Sequence, residues 1–289
     1  MEEAPPQRTP WLWPPAGWLT TIGRVFKELG EDNLTVVAAG VAFYFLLSVV
    51  PLLAAMISIY GLVADPALVQ ETVLSTAAVL PEESRAVLES QLMQISAGTE
   101  DSLSLGVMSG ILLSLWSAAY GTNALMVGLN VAYDARETRH IVLRYLISFA
   151  LLGAGMIPAM VGITVLAVVP VMLSAWGLGG VGAFVDEMLK WPLMAVAFLL
   201  YLTVLYRFGP SRPAERTIYV GPGSVLATTL WVAVTLGFAN YVSTFSTYTE
   251  TYGSLAGVIV TLVWLWLTAL VILVGAELNA EFEKQTSSS

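Results

Sequence analysis

From Leu34 to Val63 the chain carries no charged side chain, and five further stretches repeat the pattern. They run over about 103–130, 141–173, 191–206, 220–242 and 255–276, and Arg144 is the one charge inside any of them. A bilayer core of ~30 Å needs ~20 apolar residues in helical form. Lipid offers backbone groups no hydrogen-bond partner, so such runs must satisfy their own amides. They show no period-two alternation and far exceed the ~10 residues of a barrel strand. The fold class they predict is all-α: a polytopic membrane bundle of six transmembrane helices. Pro51 and Pro158 each remove one backbone hydrogen bond inside a span and favour a kink there.

Composition narrows the function classes. Charged residues make up 11% of the 289, less than half of the roughly one quarter usual in soluble domains. There is no cysteine, which excludes disulfides and thiolate sites, and one histidine, His140, which excludes paired-imidazole metal chemistry. A net charge of −9 is the wrong sign for a nucleic-acid partner. Neither a cofactor nor a resident metal is expected. The opening MEEAPPQRTPWLWPP lacks the basic and apolar regions of a signal peptide and reads as a disordered, proline-rich segment over 1–16. The membrane domain is expected over 17–282, with a disordered tail over 283–289.

Charge asymmetry sets an orientation. Six spans put Arg8, Arg24, Lys27, Arg136, Arg139, Arg144, Arg207, Arg212, Arg216 and Lys284 on one side, against Arg85 and Lys190 on the other. The positive-inside rule then places both termini in the cytoplasm. Ahead of the first span, Trp18, Ile22, Val25, Phe26 and Leu29 share one helical face, with Arg24, Lys27 and Glu28 opposite. Such a helix lies in the cytoplasmic interface or packs against the bundle floor. In the outer loop 64–102, Asp65-Pro66 and the Leu88, Leu92, Ile95 spacing predict a short outward-facing helical pair.

Polar and small residues inside the spans are the site candidates. Gly106, Gly110, Ser114 and Ala118 recur every four residues, and Gly253 and Gly257 open the last span. Both series read as ridges for close helix packing. Asn123 and Asn130 stand seven apart on one face, serving either as interhelical hydrogen bonds or as the wall of a cavity open to the cytoplasm. Tyr44 and Ser48 are candidates for the facing wall. Glu277 follows the last span and is expected at the inner headgroup level, paired with Arg144, Arg207 or Arg216 or hydrated.

Four segments, AAGVAFYFLLSVVP (38–51), WSAAYGTNALMVGLNVAYD (116–134), LYRFGPSR (205–212) and YGSLAGVIVTLVWLWLTALVILVGAELN (252–279), together resemble the YihY/virulence factor BrkB family. The resemblance covers about residues 20–282. It implies a six-span bacterial inner-membrane protein, in a family where some members carry a ribonuclease label and others are linked with serum resistance or envelope lipid handling. The sequence argues against ribonuclease chemistry, which needs an acid–base pair or metal-binding carboxylates in a basic groove. Here the carboxylates lie mostly on the outer side and the histidine has no partner of its kind. The expected function is a transporter or lipid-translocation component without its own ATPase, not an enzyme. The alternative is a scaffold that docks an envelope complex through loop 64–102. Expected partners are membrane lipid, envelope proteins on the outer face and a further copy of the chain.

Overall fold

The computed structural model describes residues 15–63, 105–164, 172–173, 175–176, 190–212, 221–243 and 254–287. Seven helices follow in order: α1 (Pro15–Glu31), α2 (Leu34–Val63), α3 (Leu105–Ala132), α4 (Ile141–Ile163), α5 (Lys190–Phe208), α6 (Gly221–Ser243) and α7 (Ser254–Ser287). Among the described residues there is no strand. The outer helical pair expected in 64–102, the N-terminal segment 1–14 and Gly253 lie outside the described residues.

Among the described residues, four helices are long and apolar enough to cross a membrane: Ile141–Gly162, Trp191–Phe208, Gly221–Val242 and Ala256–Gln285. The count rises to five if the bent pair Thr20–Glu31 and Leu34–Ser48, which meet at 66°, is one span. The bend sits at Asn33, whose φ of 50° is left-handed. Asparagine tolerates that region, and it stops α1 there. Val36 and Val37 then restart the ladder by donating to the Asn33 carbonyl.

Each helix from α2 to α7 packs on the next, and α7 closes the circuit by returning to α2 and also touching α3. The starts of α2, α4 and α6 and the finishes of α3, α5 and α7 lie at the same end of the bundle, as an antiparallel circuit requires. This polar end is tied by bonds such as Gly223 N to Asn279 Oδ1 (2.8 Å) and Ser211 N to Asn130 Oδ1 (2.7 Å). Below it, Leu125, Met126, Leu129, Leu202, Leu205, Tyr206 and Leu273 form the buried core. The amphipathic α1 packs one edge inward, burying Val25 against Leu278 and Phe282, while Ile22 and Phe26 stay exposed.

One sequence boundary needs correction. The tail expected over 283–289 does not begin at Glu283, because α7 continues through Ser287 and carries Glu283 into the bundle. At ~1.5 Å per residue its 34 residues make about 50 Å, well beyond the hydrocarbon thickness. The third helical stretch is described as a helix over Ile141–Ile163, and most of the remainder expected up to 173 lies outside the described residues.

The closest helix approach falls at Gly223 of α6 and Gly275 of α7. A Cβ on Gly275 would stand 2.7 Å from the Gly223 carbonyl oxygen and 2.5 Å from the Tyr206 hydroxyl. A Cβ on Gly223 would overlap the Gly275 carbonyl. In lipid, where apolar burial gives helices little reason to associate, such close backbone contact supplies the attraction. Gly223→Ala is expected to cost about 1–3 kcal/mol through overpacking, read as a lower melting temperature in detergent. Gly153→Ala, where nothing lies within 4 Å of the new methyl group, leaves that temperature in place.

Candidate functional site

The end of α7 is buried on every side although its sequence, GAELNAEFEK, is strongly polar. Helical spacing splits its polar groups into two faces. Asn279 and Glu283 look toward α6 and the 209–212 segment. Glu277, Glu281 and Lys284 look the other way, toward α1 and the start of α2. Leu278 and Phe282 fill the space against α1 between them.

On the first face, the Asn279 carbonyl caps the free Gly223 amide at the start of α6. Glu283 accepts from Arg212, a pair whose side chains are 3% and 7% exposed. Arg212 also donates to the Tyr206 carbonyl near the end of α5 and lies 3.8 Å above the Tyr133 ring. A buried ion pair is tolerated when further hydrogen bonds complete it, and these do. The Tyr206 hydroxyl in turn donates to the Ile272 carbonyl (2.7 Å), so α5 and α7 are joined twice.

The connection from α3 to α4 is folded over this cluster. Asp134, with φ 50°, ends α3 in a left-handed cap: Ala135 N donates to Asn130 O (2.8 Å) and Asp134 N to Val131 O (3.0 Å). Glu137 then receives Arg139 in a fork, Nε at 2.8 Å and Nη2 at 2.8 Å, together with Asn130 Nδ2 at 3.0 Å. Arg139 spans onward to the carbonyls of Phe208 and Gly209, capping α5. Hydrogen bonds from Arg139, opposed by burial, hold the Glu137 carboxyl down at about 2 from an ordinary 4.5. Across α7, Lys284 bridges Asp134 (2.9 Å) and Glu281 (3.1 Å). Burial raises the neighbouring Asp32 carboxyl above its usual value, with Asp134 adding to the effect.

Tyr133 is the pivot of this end. It is 3% exposed, and burial pushes its phenol well above the usual value, against the pull of Arg212. A cavity of about 380 Å³ opens beside it, lined by Tyr133, Arg136, Thr138, Ser211, Arg212 and Glu283 among others. Among the described residues, no group of three or more histidines and carboxylates is placed to hold a metal ion.

The residues singled out in the sequence are spread among separate partners. Asn130 tethers the 133–140 loop and the 209–212 segment to α3, through Glu137 and Ser211. Asn123 accepts from Arg144 Nε at 2.6 Å, joining α3 to the first turn of α4. Ser48 is buried and donates back to the Tyr44 carbonyl (2.7 Å), while the Tyr44 ring is exposed and edge-on to Phe43. Arg216 lies outside the described residues, and Glu277 is neither hydrated nor paired with Arg144 or Arg207. It is fully buried, and neither carboxylate oxygen has a hydrogen-bond partner among the described residues. The reason is α1, which covers this stretch of α7. Arg144 is engaged with Asn123, and Arg207 lies over the Phe208 ring instead. Gly257 is half-buried, its carbonyl accepting from Thr261. Gly106, Gly110, Ser114 and Ala118 fall in α3, with their surroundings outside the described residues. The glycines of α3 that meet α2 in the described part are Gly121, against Ser48 and Phe45, and Gly128, against Val37.

Sequence reasoning missed Arg212, Glu283, Asn279 and the Glu137–Arg139 fork. No sequence signal separates an enclosed helix end from a hydrated one: Glu277/Glu281 and Asn279/Glu283 are i, i+4 pairs on opposite faces of one helix, and polar residues all round a helix equally suit one that leaves the membrane into water.

An all-helical chain with several membrane-length apolar helices and a hydrogen-bonded polar end is a multi-pass membrane protein. The virulence factor BrkB family profile matches residues 25–289, and the chain belongs to that family. It is 32% identical over 257 residues to a ribonuclease-like protein, YfkH, of Bacillus subtilis (strain 168), covering 86% of this chain and 90% of that one. It is 27% identical over 276 residues to a UPF0761 membrane protein of Pseudoalteromonas translucida (strain TAC 125), covering 92% and 85%. A UPF0761 membrane protein of Vibrio atlanticus (strain LGP32) is 29% identical over 266 residues, covering 90% and 82%. No solved structure matches the chain.

The Glu137 fork has a pH signature. A carboxyl depressed on folding adds stability above its unfolded value near 4.5, and that stability is lost as pH falls toward about 2. Wild type should therefore melt above Glu137→Gln by a constant margin from pH 7 to 5, and by a shrinking one from pH 4.5 to 3. Melting in detergent across that range checks it, and a margin unchanged at pH 3 would exclude the fork as its source.

Proposed function

We propose that this protein crosses the bacterial cytoplasmic membrane six times, with both termini inside, and moves or hands over an amphiphile such as a phospholipid. The absence of charge in α2 and α3, helices of 30 and 28 residues, supports counting them with the four apolar helices already described. The ten-to-two bias of Lys and Arg supports placing the polar end on the cytoplasmic side.

One observation carries the lipid reading. On the α3–α4 face, Arg144 is the charge found inside an apolar run, and Asn123 holds its Nε. Directly beside them Trp116 stacks on Tyr145 (5.2 Å), and Tyr120 meets Tyr145 edge-on (6.3 Å). Trp116 and Tyr120 are exposed. A guanidinium pairs with a phosphate through two parallel hydrogen bonds, and indole and phenol rings prefer the headgroup level. A cation and an aromatic cluster side by side on the outer surface of a bundle suit one phospholipid: phosphate on Arg144, glycerol and upper chain along the rings.

The chain shows no nucleotide-binding loop, so energy would come from a gradient or a partner. Glu277 is the group suited to take a proton, since an ionisable residue buried in a membrane helix is a functional suspect by default. The dense tethering of the polar end favours the scaffold reading as the second choice. The ribonuclease-like name of the Bacillus relative is not carried over: Glu137 is committed to Arg139, and His140 is an exposed residue at the start of α4.

Purified protein in liposomes with labelled phosphatidylglycerol tests this. Wild type is expected to move label above empty vesicles. Asn123→Leu and Arg144→Gln should slow it about tenfold or more, the loss of a charge-assisted hydrogen bond. Glu277→Gln should remove the dependence on a proton gradient. No movement above empty vesicles, with or without a gradient, would overturn the reading.

A further inference from the structure

Three edges divide the surface of α1. At ~3.6 residues per turn, Thr21 and Val25 share one edge, and Ile22 and Phe26 a second about a quarter turn away. Arg24, Lys27 and Glu31 form a third, roughly opposite the second. The first is the docking edge: Thr21 and Val25 are buried, Val25 lies against Leu278 and Phe282, and Thr21 accepts from Gln285 Nε2 at 3.2 Å. The third is charged and open, with Lys27 69% exposed and paired to Glu31 at 3.2 Å. The second is apolar and open, with Phe26 71% and Ile22 41% exposed.

The place of α1 in the fold says what covers that apolar edge. Only Asp32 and Asn33 separate α1 from α2, and the two helices together are apolar enough to count as one bent span. They meet at 66°, so with α2 across the bilayer α1 runs nearer the membrane plane than its normal. Its docking edge is held by α7, itself a helix of membrane-crossing length. A helix lying at the foot of an upright one meets the membrane surface about a quarter turn from its docking edge. Of the two directions at a quarter turn from α7, toward lipid and away from it, the apolar edge belongs to the first. The charged edge then faces water. This is the arrangement of a helix in the headgroup–acyl boundary, whose apolar side chains leave water while its charged side stays hydrated.

We propose that α1 is seated in the corner between α7 and the bilayer surface, with Ile22 and Phe26 entering the leaflet at the polar end and phospholipid as the partner of that edge. The inference needs the bilayer crossing but not lipid movement, and it holds for whichever leaflet the polar end faces.

The full-length chain has no cysteine, so single cysteines report position directly. Ile22→Cys and Phe26→Cys sample the apolar edge, Lys27→Cys and Glu31→Cys the charged one. All four side chains are exposed, and each variant is expected to melt with wild type in detergent. In nanodiscs of phosphatidylethanolamine and phosphatidylglycerol that hold one protein molecule each, labelling by a charged, water-soluble maleimide is followed. Each rate is divided by that of the same variant unfolded in dodecyl sulfate. Positions 22 and 26 should label about tenfold or more slower than 27 and 31, from the burial of one apolar side chain. A fluorophore at 26 should be quenched by a doxyl-bearing lipid, and one at 31 should not. Equal rates at 26 and 27 would overturn the proposal. Protection of all four positions would also overturn it, because α1 would then be sunk in the membrane as half of a broken span. Slow labelling at 26 without quenching by the doxyl lipid would put protein over that edge and sink the proposal as well.

Discussion

Everything at the polar end depends on one constraint: the last turns of α7 are enclosed by protein while carrying Glu277, Asn279, Glu281 and Glu283. A charge out of water must be paired, protonated or costly. Glu283 is paired with Arg212, and that pairing fixes much else. Arg212 is held by the Tyr206 carbonyl and covers the Tyr133 ring, so one guanidinium ties α7 to the ends of α5 and α3. Asn279 does the same for the start of α6. Remove the enclosed carboxylate and the reason for Arg212 to lie across the bundle goes with it.

The same constraint explains why the helices converge at this end through hydrogen bonds rather than bulk. Between helices in lipid, apolar side chains gain little by leaving the acyl chains. Specificity falls to backbone approach and to polar pairs. Gly223 against Gly275 supplies the approach between α6 and α7, at a level where Tyr206 and Ala227 fill the flanks. Asn130 and the Glu137–Arg139 fork supply the pairs between α3 and α5. These two devices meet within a few residues of each other, which is why the motif stretches 116–134, 205–212 and 252–279 come together although they are distant in sequence.

What was legible in the sequence follows from which signal each feature carries. Helix positions were plain because an uncharged run of membrane length has one solution, and α2, α3, α5 and α6 start or end within about two residues of their apolar runs. The end of α7 was misjudged because hydropathy falls at Glu277 and the fall looks the same for a helix leaving the membrane and one entering a polar core. The spacing of Asn123 and Asn130 fits hydrogen bonding and a shared cavity alike; the structure gives each its own partner, Arg144 and Glu137, on residues whose proximity no periodicity predicts. The Gly223–Gly275 crossing escaped because a single small residue on each helix is enough when both lie at the crossing point. Regular four-residue ridges drew attention to Gly106 and Gly110 instead.

The two faces of the α7 end differ in how firmly they are held, and that difference locates the part of the structure able to yield. The Asn279–Glu283 face meets α6, α5 and the α3–α4 loop through buried, mutually supporting bonds. The Glu277–Glu281 face meets α1, which is anchored by Val25 in a small apolar contact, by a Gln285–Thr21 bond of 3.2 Å and by an Arg24–Glu281 pair at 3.8 Å whose arginine is 58% exposed. Local opening follows the weakest contacts, and α1 joins the bundle through one left-handed asparagine, Asn33, at a 66° bend. α1 packs along α7 over the stretch that holds Glu277. The amphipathic helix that precedes the first apolar run is therefore what shuts Glu277 off from water.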